Sequence, residues 1–539
     1  MQRLKFLLVM FFAVLDQATG TSFLPNENVE NSTFSNTPTE NLRTLLKGIL
    51  IKLNEKSGSG IHKLPEVELS QDSFMVGSFI SNKNVIRVEM KAINECRSLG
   101  KDSINALAFL IAHEYVHFLK HNKHKKSTNF LSYEKGDKAN LLEEQEADVY
   151  GLFLSYLAGY NNRDVTEDIL TRLYNAYKIR DKVLINYPSF ETRILSNKEV
   201  LAKVEQLIHI FKTGNYLLAL GEFSYAKYCF NFVNSIHSSY EIHNNIGVLN
   251  MLESIENFKL VPRDQYFMPI MIENKSTLDL KKRQGRGEDT LSLHSDEYRK
   301  RIKGLGESIT WFEKSIKQQK NYFPAYMNKI CALYYLGNKE KMVQFINLTK
   351  SKFSKSQNIY LLDMILLVND NSLAISDKIS KFKELVSMSE ASSNSIFAKN
   401  IIKANFSLIS GEKLNELTFD YELPEELSIM MRKLSLEKLA PKSSISLSNK
   451  DRIQFIYNVK GNSVNSAIIE DGVKKYTFKY YPHEIIPDIK LGEELDLNIF
   501  NYKNFIATSD GFIYHQNRDQ YLVCVNNNGS ISSMVKYFK

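Results

Sequence analysis

Between Ser103 and Phe118 the chain offers a helix with almost no polar face. Ile104, Leu107, Leu110, Ile111, Val116 and Phe118 spread round its whole circumference at helical spacing, so it must be buried on all sides. Asp102 or Ser103 stands where a cap is needed. Yet the same helix carries His113-Glu114-Tyr115-Val116-His117. Buried imidazoles and carboxylates need partners, because an unpaired polar group in an apolar interior is costly. Two His four residues apart lie on one face and reach a single metal ion, and a Glu about 100° round the helix can hold a water beside it. A hydrogen-bonded core His is the ordinary fate of one such residue. Two of them flanking a Glu point to metal instead, and a second element must then bring a further ligand.

That element is expected from about Lys138 to Leu157. Leu142, Val149, Leu152, Phe153 and Tyr156 are apolar, while Glu144, Asp148, Gly151 and Ser155 share another face. Glu144 can supply the third ligand, and Asp148 can accept the free ring N–H of a ligand His. Gly151 costs a mid-helix position about 1 kcal/mol relative to Ala, and close approach to the first helix is the return it offers. The competing expectation is an amphipathic helix with a solvated acidic face. Glu146 is expected on the helix surface or behind the ligands. The Lys-rich stretch from His121 to Lys138 reads as a solvated loop. There His121 and His124 are either accessory ligands or exposed, and Asp137 is a rival third ligand. The metzincin spacing fails, since Lys120 and Lys123 stand where it needs Gly and His.

HEYVH followed by Glu144-Gln145-Glu146-Ala147-Asp148-Val149-Tyr150-Gly151 resembles the HtpX-like and CAAX-prenyl-protease-related family of zinc metallopeptidases, in its soluble, exported, TPR-carrying BepA-like branch. The resemblance covers roughly residues 60 to 200. It implies one Zn2+ per chain held by His113, His117 and Glu144, with Glu114 as the base and Asp148 supporting a ligand. A third family element, HPxxxxR, runs here from Tyr187-Pro188 to Arg193, with Tyr187 replacing the family His. Tyr187 or Arg193 is then the donor to a reacting oxyanion. The branch acts in periplasmic quality control of outer-membrane proteins.

The rest of the chain sets this site in a larger frame. Its 539 residues suit three or four domains. Residues 1–20 read as a secretory signal, with Arg3 and Lys5 before an apolar run from Phe6 to Leu15 and Ala18-Thr19-Gly20 at the cleavage positions. Residues 21–39 read as a mobile N-terminus, and residues 40–200 as the metallopeptidase domain. Strand-like pieces are expected at Phe74-Met75-Val76 and Val85–Val88, turning at Asn82-Lys83-Asn84. Residues 201–440 show a repeat period near 34 with TPR-like helix pairs, Gly214 opening one and Gly221 to Ala226 turning it. An insertion at about 257–306 separates one first helix from a partner at Glu307–Ile316. It contains the basic run Lys281 to Gly287, a solvated loop or a site for an acidic partner. Residues 441–539 read as β-rich, with strands at Arg452–Val459, Lys474–Tyr481, Glu494–Phe500 and Tyr521–Asn526.

The expected fold is therefore multidomain: an α+β, mostly helical zincin-type metallopeptidase domain, an α-solenoid of TPR-like repeats and a small all-β C-terminal domain. Net charge of +8 is spread without a basic stripe interleaved with aromatics, which argues against nucleic acid as a partner. No later segment is apolar enough to span a membrane. The four cysteines are too dispersed to suggest a disulfide framework. The function these features point to is an exported zinc-dependent metalloendopeptidase acting on protein or peptide substrates, with a protein partner on the repeats. The alternative is a latent metallopeptidase serving as a TPR-based binding or chaperone-like module.

Overall fold

A computed structural model describes residues 38–57, 59, 61, 63–72, 76–122, 139–162, 165–180, 189–256, 266–271, 296–354, 356, 358–391, 396–411, 444–448, 452–460, 463–482, 505–507, 511–516, 521–526 and 531–538. The signal segment, His124, Asp137, Tyr187, the basic run at Lys281 and the strand expected at Glu494–Phe500 lie outside the described residues. What is described is mostly helical, with two small sheets, and forms two compact units: residues 1–208 with 236–239, and residues 209–235 with 240–539.

In the first unit, α1 (Pro38–Ser57) precedes β1 (Glu66–Ser70), β2 (Gly77–Ile80) and β3 (Val85–Glu89). The helix begins at Pro38, so the last residues of the expected mobile segment belong to it. The sheet order is β1-β3-β2, with β1 parallel and β2 antiparallel to the central strand. Of the strand expected at Phe74–Val76, Phe74 and Met75 lie outside the described residues, and the described strand is Gly77–Ile80. Its place is set by pairing with β3, Phe79 opposite Ile86, and the connection turns where Asn84 adopts a positive φ of 53°.

Helices α2 (Met90–Arg97), α3 (Ser103–His121), α4 (Ala139–Leu157) and α5 (Thr166–Ala176) follow. Helix α3 packs against α1, α2, α4, α5, β2 and β3, as a helix apolar over most of its circumference must, although Ile104 in its first turn is exposed. Leu107, Ile111, Tyr115, Val116 and Phe118 are fully buried along it. Burial of each large apolar side chain stabilises by roughly 1.5–3 kcal/mol, which offsets the cost of drawing charged neighbours inside. The Tyr115 hydroxyl donates to Asn54 Oδ1 at 2.8 Å, and its ring stacks on Phe118. Asp102 occupies the N-cap position of α3 without a side-chain cap bond, because a short 3-10 turn over Gly100–Asp102 leads directly into the helix.

Helix α6 (Phe190–Ala219) runs unbroken through residue 200, since no proline and no glycine before Gly214 interrupts it. The second unit then stacks α7 (Phe223–Ile236), α8 (Tyr240–Glu256), α9 (Asp296–Gln318), α10 (Phe323–Leu336), α11 (Lys339–Lys352), α12 (Tyr360–Asn369), α13 (Ile375–Ala391) and α14 (Ile396–Ser410). From α8 onward each helix packs on the next, and α8 also meets α10, as α12 meets α14. Helix α9 starts at Asp296 and not at Glu307. Its first turns pack against α8 through buried Arg301 and Leu305, so they belong to the helix pair and not to the insertion.

Strands β4 (Ser444–Ser446), β5 (Ile453–Lys460), β6 (Ser463–Glu470), β7 (Val473–Pro482), β8 (Phe505–Ala507), β9 (Gly511–Gln516), β10 (Tyr521–Asn526) and β11 (Ile531–Phe538) form one antiparallel sheet, ordered β4-β5-β6-β7-β11-β10-β9-β8. The Asp471-Gly472 pair, with φ of 49° and 80°, makes the tight β6–β7 turn that its residue types favour. The sheet is joined to the helices of this unit. Thr213 and Ser466 hydroxyls meet at 3.0 Å, Tyr225 donates to Glu470 at 2.7 Å, and Tyr476 donates to Glu222. Cys96, Cys229 and Cys331 are free and buried. Among the described residues, no helix is long and apolar enough to cross a membrane.

Candidate metal centre

Helices α3 and α4 cross with backbone almost touching backbone. A Cβ built on Gly151 would lie 2.8 Å from the main-chain nitrogen of His113 and 3.0 Å from Ala112 C, so any larger residue would part the helices. This is the close approach that a mid-helix glycine suggested. It brings the HEYVH face of α3 onto the acidic face of α4.

Three side chains converge there. His113 Nε2 lies 3.2 Å from Glu144 Oε2, His117 Nε2 lies 3.4 Å from Glu144 Oε1, and the two Nε2 atoms are 3.3 Å apart. Bonds of 2.0–2.1 Å to a tetrahedral ion place neighbouring ligand atoms about 3.3–3.4 Å apart. Each of the three separations is that of neighbouring ligand atoms on such an ion, with His113 and His117 meeting different oxygens of the Glu144 carboxylate. Among the described residues these three form the group able to hold a metal ion. Two imidazoles and a carboxylate suit zinc, and the residues fit the ion that the motifs imply.

Behind the ligands is a charged relay. Asp148 Oδ1 lies 2.9 Å from His113 Nδ1. Arg193 Nε donates to Asp148 Oδ2 at 2.5 Å, and Arg193 Nη2 donates to Oδ1. The guanidinium also stands over the Tyr174 ring. Once His113 gives up its second proton, Nδ1–H donating to Asp148 leaves the Nε2 lone pair facing Glu144 and His117. Arg193 was expected among the oxyanion donors. Its Nε and Nη2 are instead committed to Asp148, which puts it behind His113 as a positioning residue.

The electrostatics follow from burial and pairing. Burial opposes charge on His113, but the hydrogen bonds from Asp148 and Glu144 outweigh it and raise its pKa to about 10. Burial, and then the charge of His113, lower His117 to about 4. Asp148 is pushed upward by burial, yet Arg193 and His113 bring it down to about 2. Glu144 is likewise lowered, His113 overcoming its desolvation. The metal-free site is thus held together by a proton on His113, which an incoming cation must displace.

Glu114 leaves α3 about 100° round the helix from His113, close enough to His113 and Glu144 to feel their charges. It is 6% exposed, and burial raises its pKa to about 7. The main-chain N–H of Phe79 on β2 donates to its carboxyl group. A Cβ on Gly77 would come within 2.9 Å of Glu114 Oε1, so β2 and Gly77 form the floor under the carboxylate. The sequence reading placed a strand nearby but missed this role for Gly77. Only the pairing register with β3 brings it beneath Glu114.

Of the other candidates, His121 is exposed at the end of α3 with its ring against Phe79, and it does not join the ligands. Glu146 pairs with Lys120 and ties α4 to α3 one turn beyond His117. Neither a protein-family model nor a curated protein sequence matches this chain.

Proposed function

We propose that the chain is an exported zinc-dependent endopeptidase that cleaves protein substrates in envelope quality control. The observation that carries this reading is the mutual approach of His113, His117 and Glu144 beside a buried Glu114. Three protein ligands, two imidazoles and a carboxylate, characterise hydrolytic zinc sites, whereas structural sites use four. Zinc held there supplies Lewis acidity at a substrate carbonyl.

The residues around it divide the remaining work. Glu114 takes a proton from the attacking water as the C–O bond forms, then gives it to the amine nitrogen as the C–N bond breaks. A carboxyl pKa raised towards neutrality suits both halves of that exchange. Asp148, held by Arg193, keeps His113 in the tautomer that presents Nε2. Strand β2 is an edge of its sheet and runs beside Glu114, so its outer side can pair with an extended substrate segment. The zincin-type domain, the TPR-like reading of α6–α14 and the HtpX-like resemblance belong to the same proposal. Helices that pack in sequence, with α8 also meeting α10 and α12 meeting α14, agree with a solenoid.

Zinc content and cleavage of an unfolded protein test it, measured on the purified chain beside Glu114→Gln. One zinc per chain in both, with cleavage lost in the variant, is the expected result. Zinc in both with no Glu114-dependent cleavage would instead support the latent, binding-module reading that Tyr187 in the family His position suggests. Full zinc retention in Glu144→Ala would remove the third ligand.

A further inference from the structure

The second unit buries an asparagine ladder whose rungs come from alternate helices. Asn215 is on α6, Asn244 and Asn245 on α8, Asn328 on α10 and Asn405 on α14. All five are buried, Asn244, Asn245, Asn328 and Asn405 completely. Asn245 Nδ2 donates to Asn215 Oδ1 at 3.0 Å, Asn244 Nδ2 to Asn245 Oδ1 at 3.3 Å, and Asn328 Nδ2 to Asn244 Oδ1 at 2.8 Å. Amides in such a position are costly unless satisfied.

What satisfies the outer rungs is a short piece of non-helical main chain, Phe267 to Met271. Asn405 grips Phe267 at both polar atoms: it accepts from the N–H at 2.8 Å and donates to the C=O at 2.8 Å. Asn328 grips Met271 in the same way, accepting from its N–H at 2.7 Å and donating to its C=O, while Asn244 adds a second donor to that carbonyl at 2.9 Å. Between the grips Pro269 bends the segment, with Ile270 N–H donating to Met268 C=O at 2.9 Å. Met268, Ile270 and Met271 are buried. Both clamps touch main chain alone, so they demand no particular side chain at those two positions. The pocket between them demands apolar ones.

We propose that this face is a peptide-binding groove, filled here by the chain's own segment 266–271, and that it takes a short apolar, proline-bent segment of a partner protein when the internal one leaves. The inference stands apart from the metal centre and would survive the loss of peptidase activity.

A fluorescein-labelled peptide of residues 262–275 is the probe. It should bind the full chain carrying Gly/Ser in place of residues 266–271 at least tenfold more tightly than the unaltered chain. Adding Asn328→Ala to the replaced chain should weaken binding at least tenfold, as should Ser at positions 268, 270 and 271 of the peptide. A folded replaced chain that fails to bind, or binding indifferent to either change, overturns the proposal. Hydrogen exchange on the unaltered chain decides the matter if the replaced chain does not fold. The Met271 amide should exchange at least tenfold faster than the central amides of α10, by local release of the segment. Exchange of Met271 only together with those helix amides would make the segment permanent core and overturn the proposal.

Discussion

Both units of this protein bury polar side chains between helices, and they do it with opposite chemistry. In the first unit the groups are ionisable: His113, His117, Glu114, Glu144, Asp148 and Arg193 balance one another's charge. In the second, the connected set is of neutral amides that hold one another and a length of main chain. Charges make protons and cations the currency of the first site, and its stability must follow pH. Amides make geometry the criterion of the second, and none of them titrates. On the proposed readings, chemistry and recognition fall to different kinds of buried polarity.

The largest expected effect attacks the charged site at its hub. Asp148→Ala strands the Arg193 guanidinium and His113 without their shared counter-charge. Breaking a buried pair on one side costs about 3–5 kcal/mol, and loss of an outer-shell carboxylate lowers metal affinity about 10–100-fold. Denaturation of the metal-free chain and zinc titration measure the two. A variant as stable as the parent would mean that the relay contributes little.

Next comes the same operation on the neutral site. Asn328→Ala leaves the Met271 N–H unsatisfied and should cost about 1–3 kcal/mol, with no effect on zinc content. Gly151→Ala should cost a comparable amount, about 1–3 kcal/mol, because the new methyl meets backbone that cannot rotate away. Unlike Asn328→Ala, it should also loosen zinc. Calorimetry with metal analysis separates the two variants.

pH sharpens the contrast further. Asp148 has its pKa lowered to about 2 in the folded chain, against about 3.9 when unfolded. Its stabilisation is present above the unfolded value and is lost as pH falls through the folded one. Acid should therefore weaken α3–α4 protection between pH 4 and 2, whereas the amide clamps on Met271 themselves carry no titrating group. Hydrogen exchange on the metal-free chain reads both regions at once. Gly77→Ala is the mildest change: Glu114 can swing aside, so zinc and stability should hold while cleavage falls about tenfold, within the share a general base contributes.

The charged site was far more legible in the sequence than the neutral one. Its residues sit at spacings with a fixed meaning on a helix: four apart for His113 and His117, and four apart again for Glu144 and Asp148. Gly151 was readable for the same reason, since a mid-helix glycine invites an explanation. Gly77 was not, because its position under Glu114 depends on strand register. The asparagines of the ladder carried no signal, since they are irregularly spaced along the chain, two on α8 and one each on α6, α10 and α14, and align only after the helices stack. Segment 266–271 fell within a stretch expected to be an insertion, and its apolar Met268, Ile270 and Met271 show a purpose only beside Asn328 and Asn405. Helix α9 was expected to start late because its opening turns, Asp296 to Gly306, are charged and glycine-containing. Strand β6 was missed between two well-marked turns, as Ser463 to Ser466 lack the alternation that distinguishes a strand.

The contact at Gly151 has a consequence for how this fold tolerates change. Where α3 and α4 meet backbone to backbone, the crossing point acts as a mechanical stop, and that stop sets the aperture among the three ligands. A side chain larger than hydrogen at this one position would widen the centre without touching any ligand atom, so the geometry of the chemistry depends on a residue that has no chemistry of its own.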